Sequence, residues 1–170
     1  NLEVKELKQF NLGKKLKIDV NKKQVGSDRL ANAISVINNK DNFIILDFGT
    51  ATTFDVVLKN RYKGGIIAPG VNLSLKTLVE KAKLKPNIKL SKIKNIIGKN
   101  TQNAVKSGFY WGYQGLIKNL INLIEKKNKK KFKIIFTGGL SHLYKNTIKK
   151  KIKVDKDLTI KGLLKLVVTE

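Results

Sequence analysis

Cysteine and methionine are both absent from the 170 residues, proline occurs twice, and histidine and tryptophan once each. Without cysteine no disulfide can form, and a zinc site would lack thiolates and have only His142 as an imidazole ligand, so thiol redox chemistry and zinc are set aside. A complete reading frame ordinarily supplies an initiator methionine. The chain is therefore expected to be a segment, which leaves room for part of a site ahead of Asn1. No apolar run approaches the roughly 20 residues a membrane-spanning helix needs, and the amino end carries no apolar signal stretch. A soluble protein with a cytoplasmic location is the default expectation.

Acidic residues are also few, 12 against 36 lysines and arginines, for a formal charge of +24. Such a surplus ordinarily suggests nucleic acid or an anionic membrane. Arginine, however, appears only at Arg29 and Arg61, and isoleucine and asparagine are as enriched as lysine. A coding bias toward AT-rich codons accounts for all three. A groove-reading surface would instead favour the bidentate geometry of arginine, so nucleic acid is not expected as a partner.

What remains is 41% hydrophobic, enough for one sizeable core in one or two lobes. Residues 16–20 alternate as a strand, and Gly26-Ser27-Asp28-Arg29 leads into apolar positions at helical spacing over residues 30–37. After a polar break at residues 38–42, Phe43-Ile44-Ile45-Leu46-Asp47 has the character of a buried strand, and a lobe boundary is placed there, dividing residues 1–40 from 41–170. Residues 52–58 set Phe54, Val56 and Leu58 on one face and Thr53, Asp55 and Val57 on the other, as an amphipathic strand would. Gly49-Thr50 is then a hairpin connection. A third strand at Gly65-Ile66-Ile67-Ala68 is stopped by Pro69-Gly70, and a helix follows over residues 73–82. After a lysine-broken connection over residues 83–99, residues 101–127 give the longest helical signal. Gly108, Gly112 and Gly115 in its interior imply close packing of another backbone there. A strand over residues 132–136 runs into Thr137-Gly138-Gly139, and an amphipathic helix over residues 158–168 closes the chain.

Three short runs can carry chemistry. In Asp47-Phe48-Gly49-Thr50-Ala51-Thr52-Thr53 the glycine lets a phosphate approach the backbone, hydroxyls and amides can donate to it, and the acid can hold a cation. A plain hairpin turn is the other reading. The Asp-Phe-Gly element of protein kinases is excluded because a glycine-rich loop and a His-Arg-Asp loop are both missing. In Gly26-Ser27-Asp28-Arg29, a carboxylate beside a guanidinium can take a proton from a substrate hydroxyl while the arginine grips an anion. Asp28 as a simple helix N-cap is the alternative. Thr137-Gly138-Gly139 can let a nucleoside lie against bare backbone at a strand's carboxyl end, or be an ordinary strand-to-helix turn. His142 lacks a catalytic partner by spacing, and Phe109, Tyr110, Trp111 and Tyr113 suit a core or an interface better than base stacking.

In order and spacing these runs, together with Tyr62-Lys63-Gly64-Gly65, Pro69-Gly70, Gly98-Lys99-Asn100-Thr101 and Ser107-Gly108, resemble the type III pantothenate kinase family across nearly the whole chain. The resemblance implies an α/β, ribonuclease-H-like (actin-like ATPase) fold, here the end of the first lobe and a complete second lobe. It implies phosphoryl transfer from ATP with Mg2+ to the primary hydroxyl of pantothenate, the first step of coenzyme A synthesis, in a homodimer. Asp28 would be the catalytic base, with Gly26, Ser27, Asp28, Arg29 and Thr101 binding pantothenate, Thr101 from across the dimer interface. Gly49 and Thr50 would meet ATP phosphate, Gly138 and Gly139 would border the adenosine, and Asp47 would bind a monovalent cation, K+ or NH4+.

Two departures accompany the resemblance. The family's first-lobe Asp-X-Gly-Asn-Thr phosphate loop does not occur in these residues, so the 170 residues alone are expected to be inactive or very weak. Where many relatives carry a substrate-touching tyrosine upstream of the Gly-X-Asp-Arg run, Asp19 stands here. Two rival readings are a nonenzymatic basic regulatory module and a kinase of the same fold with another acceptor.

Overall fold

The structure is a computed structural model that describes residues 5–84 and 88–168. Its centre is one six-stranded sheet in the order β1-β4-β3-β2-β5-β6. The strands are β1 (Lys17–Ile18), β2 (Asn42–Phe48), β3 (Ala51–Leu58), β4 (Arg61–Pro69), β5 (Lys133–Gly138) and β6 (Ile152–Val154). β3 runs antiparallel to β2 and β4, while β5 is parallel to β2 and to β6. This mixed sheet, with helices on both faces, is the α/β, ribonuclease-H-like arrangement expected from the sequence.

The continuous apolar run of β2 has a direct cause, because both its faces are covered. On one side α1 (Ser27–Val36) and α5 (Leu158–Val167) pack with Phe43, Ile45, Val57 and Tyr62. On the other, α2 (Val71–Lys81), α3 (Thr101–Asn128) and α4 (Ser141–Tyr144) cover Ile44, Leu46, Phe54, Val56 and Phe136. The expectation of an amphipathic β3 is corrected here: residues 52–57 are all buried, so its polar face points into the α1 layer and away from water. Thr53 and Asp55 are thus interior polar groups that need partners.

Residues 16–20 yield only the two-residue β1, beside Arg61 and Tyr62 of β4. The chain then turns, with Asn21 accepting from the Lys23 amide at 3.0 Å. Residues 7–37 contribute Leu7, Leu12, Leu16, Val25, Leu30 and Ile34 to the same core as the sheet. α3 is the expected long helix, capped by Asn100, whose Oδ1 accepts from the Asn103 amide at 2.9 Å, and ended by Lys129 in a left-handed conformation. A Cβ added at Gly108, Gly112 or Gly115 would meet nothing within 4 Å, so among the described residues no other backbone fills the space those glycines leave. Elsewhere, α4 and β6 escaped the periodicity because they span only four and three residues within lysine-rich sequence.

α5 approaches α1 closely enough to exclude a side chain. A Cβ at Gly162 would lie 1.9 Å from the Ala31 carbonyl oxygen. Because both atoms belong to helix backbone, neither can move alone. Gly162→Ala is expected to cost at least about 1–3 kcal/mol, the range for overpacked cores. Thermal unfolding of the variant beside the parent chain measures it, and an unchanged melting temperature would show that α5 packs less tightly on α1.

Candidate active site

The carboxyl ends of β2, β4 and β5 and the amino end of β3 lie at one end of the sheet. In register across that end, Thr53 of β3 pairs with Asp47 of β2, and Asp47 with Thr137 of β5. By the alternation of each strand all three share the α1-facing side. Two of them, Thr53 and Thr137, are buried, whereas Asp47 is only half-buried. Gly49 and Thr50, in the hairpin next to them, are exposed, as the phosphate-loop reading requires.

α1 supplies the opposite wall. Its first residue is Ser27 and its N-cap is Gly26, with no side-chain capping bond. The N-cap reading of Asp28 therefore fails, and this exposed carboxylate stands in the first turn, where the helix end complements negative charge. One turn on, Asn32 shares its face at the i, i+4 spacing. The buried Asn32 donates from Nδ2 to Asp47 Oδ2 at 3.1 Å. Asn32 is in turn oriented by α5, since Thr159 Oγ1 donates to Asn32 Oδ1 at 2.7 Å. Asp28 and Asp47 consequently face one region, a turn of helix apart. Burial pushes the Asp47 carboxyl above its ordinary value, against the Asn32 hydrogen bond, and the charge of Asp28 adds to the rise.

Arg29 faces inward rather than toward solvent. Its Nε and Nη2 donate to Asp55 Oδ1 at 2.8 and 2.7 Å, and the Tyr62 hydroxyl donates to the same oxygen at 2.6 Å. Asp55 is fully buried, and burial pushes its carboxyl up while Arg29 opposes the rise. Arg29 is thus first a structural cation, with only its outer N–H groups left for a substrate anion. Gly65 makes the pairing possible. A Cβ there would lie 2.5 Å from Arg29 Nη2 and 2.1 Å from the Phe54 carbonyl oxygen.

The two glycines at the carboxyl end of β5 differ in what holds them. Gly138 has φ +82° and a Cβ on it would come within 2.6 Å of both Asp47 Oδ1 and the Phe48 amide, so the backbone itself demands glycine. Gly139 meets nothing within 4 Å and leaves open surface beside Asp47. Gly70 holds the hairpin from beneath, where a Cβ would lie 1.9 Å from the Thr50 carbonyl oxygen.

Not every residue singled out from sequence joins this group. Thr101 begins α3, on the other face of the sheet, and the structure does not bring it to Asp28 within the chain. Asp19 is held at the surface by Arg61 at 2.7 Å and Lys63 at 2.6 Å, whose hydrogen bonds, that of Lys63 foremost, hold its carboxyl below the ordinary value. His142 is exposed, and Tyr110 is buried while Trp111 stands half-exposed against it. Sequence reading missed Asn32, Asp55, Tyr62 and Thr159 as site-supporting residues. Asp55 carried a signal, an acid inside a strand with apolar neighbours on both sides, and Tyr62 stood in one of the runs that carry the resemblance.

The described residues contain no cluster of three or more His, Cys, Asp or Glu side chains able to hold a metal. A cation held by few protein ligands, with phosphate and water completing its shell, needs less. Asp47 fits that limited role, with the hydroxyl of Thr53, buried and without a hydrogen-bond partner, on the adjacent strand.

Comparison with known proteins identifies a family. The family profile described as type III pantothenate kinase matches residues 2–123. The type III pantothenate kinase of Pelagibacter ubique (strain HTCC1062) is 65% identical over 160 residues, 94% of this chain and 64% of its own length. That of Ruegeria sp. (strain TM1040) is 42% identical over 144 residues, 84% of this chain and 55% of its own. The chain thus spans less than two thirds of the length of these curated relatives. Among solved structures, a conserved putative Baf family transcriptional activator from Campylobacter jejuni superposes with a TM-score of 0.65 at 25% identity, over 95% of this chain and 75% of that one. The Alp12 filament structure superposes at 0.57 with 18% identity, over 83% and 52%, and shares the fold alone.

Proposed function

The chain belongs to the type III pantothenate kinase family, and on that footing we propose that it supplies the acceptor-binding and base-carrying part of an enzyme that phosphorylates pantothenate with ATP. The observation that carries this reading is the convergence of Asp28 and Asp47 on one region through the shared face of α1. Phosphoryl transfer asks for a base near the acceptor hydroxyl and for neutralisation at the phosphates, with little covalent work by protein groups. Asp28 is the base, accepting the hydroxyl proton of pantothenate at its carboxylate. Gly26, Ser27 and Arg29 border the acceptor, and the outer N–H groups of Arg29 meet its carboxylate.

Gly49 and Thr50 meet the ATP phosphates from the exposed hairpin, and Gly138 and Gly139 border the nucleoside on the open surface beside Asp47. Mg2+ or a monovalent cation, when bound, offsets phosphate charge, and Asp47 with the Thr53 hydroxyl would hold it. The remaining phosphate contacts belong to the part of the relatives' length that these residues do not span. In the complete protein, ADP formation dependent on both ATP and pantothenate is the expected result. ATP turnover indifferent to pantothenate would point to another acceptor, and salt-sensitive DNA binding without turnover to a nonenzymatic basic regulatory module.

A homodimer is part of the same proposal. Thr101 does not reach Asp28 within one chain, and the three open glycines of α3 offer a surface where a second helix backbone can seat. Without a partner, Gly108→Ala and Gly112→Ala would each stabilise the helix by about 0.5–1 kcal/mol. With one, they weaken self-association. Sedimentation beside thermal unfolding separates the two, and a uniformly stabilised variant with unchanged sedimentation would remove this interface.

A further inference from the structure

A second concave region lies at the other end of the same strands. A cavity of about 880 Å³ opens at the amino ends of β2 and β5, within the roughly 300–1,000 Å³ of small-molecule sites. Its inner wall runs on to Ile135 and Leu158, but Asp28, Asp47, Gly49, Thr50, Gly138 and Gly139 do not line it, and its cationic mouth at Lys133 lies four residues, about 13 Å along β5, from Thr137. Six lysines line it against three carboxylates. Each carboxylate already has a lysine: Lys133 binds Asp41 at 2.5 Å, Lys150 binds Glu125, and Lys161 binds Asp155 at 2.6 Å. Lys153 reaches Asp155 only at 3.6 Å, and Lys131 and Lys151 have no carboxylate partner among the described residues.

This surplus follows from topology. Lysine-rich turns precede both β5 and β6, and the parallel register of Ile134 with Ile152 sets Lys131 and Lys151 at the same end of adjacent strands. Apolar walls from Phe43, Phe132 and Leu158 lower the local dielectric and so strengthen the field of those cations. A hollow with uncompensated cations and apolar walls suits an anion carrying an apolar body. A nucleic acid would instead need a cationic track with stacking aromatics.

We propose that this cavity binds a small organic phosphate, its phosphates on Lys131 and Lys151 and its apolar part against Phe132 and the lysine stems. The proposal is independent of the pantothenate kinase reading. Titration of the chain with ADP and with pyrophosphate, followed through backbone amide shifts by NMR, tests it. Saturable shifts are expected at residues 131–133 and 151–153, with ADP binding about tenfold more tightly than pyrophosphate because its base adds apolar contact. Lys131→Glu combined with Lys151→Glu should weaken both at least about tenfold, while Lys89→Glu combined with Lys92→Glu, remote from the cavity, should change neither. Asp47→Asn should leave the shifts at residues 131–133 intact. Shifts confined to Thr50 and Gly138, equal weakening by the remote pair, equal affinity for the two probes, or no saturation would each overturn the proposal.

Discussion

Arg29→Met is expected to destabilise the protein by about 3–5 kcal/mol, because it strands the Asp55 carboxylate in the interior without its cation. Arg29 is 13% exposed and Asp55 0%, so solvent cannot take over the lost partner. The Tyr62 hydroxyl would remain, but one neutral donor does not replace two charge-assisted bonds to the same oxygen. The loss should depend on pH with a definite sign. Burial already raises the folded-state value for Asp55, and removing Arg29 raises it further. The folded variant then holds a proton that the unfolded chain releases, so its stability falls as pH rises above the ordinary carboxylate range. Denaturant unfolding at mildly acidic and neutral pH should show the larger deficit at neutral pH. Adding Asp55→Asn to Arg29→Met should recover much of it, since no buried charge is left. If Arg29→Met alone unfolds like the parent chain, the pair is not a structural element and Arg29 is free for substrate.

That pair also shows what the sequence disclosed and what it hid. Strands β2 to β5 and helices α1, α2, α3 and α5 were legible because apolar spacing and turn residues report directly on burial and chain reversal. Asp28, Gly49 and Asp47 were legible as a candidate site because short glycine and acid runs fell at element ends. The partners of those residues were not. Asn32 looked like one more polar position on a helix, and its bond to Asp47 exists only because α1 crosses β2 at that height. Thr159 lies 127 residues from Asn32, and no local pattern can announce such a contact. Asp55 was assigned to a solvent face because alternation cannot distinguish a polar face in water from one satisfied by an arginine under a helix. Gly65, likewise, was part of a recurring motif whose physical reason, the room it leaves for Arg29, required coordinates.

For the proposed reaction the largest single effect is expected from Asp28→Asn, which should lower kcat in the complete protein by about 10²–10⁴, the usual contribution of a general base. The amide keeps the shape of the carboxylate and loses the ability to accept a proton, so the KM for ATP should change little. A collapse of the fold can be excluded as the cause by the same geometry. Asp28 is exposed, and its charge raises the carboxyls of both Asp47 and Asp55, so removing it relieves repulsion inside the site. Against that relief stand the lost attraction to the start of α1 and to Arg29, so stability should shift by no more than about 0.5 kcal/mol, as for other surface changes. A variant that unfolds as the parent does and yet no longer consumes ATP in the presence of pantothenate would mark Asp28 as the group that activates the acceptor. Full turnover in the same variant would move the base elsewhere and leave the Asn32–Asp47 pair as a phosphate-side element alone.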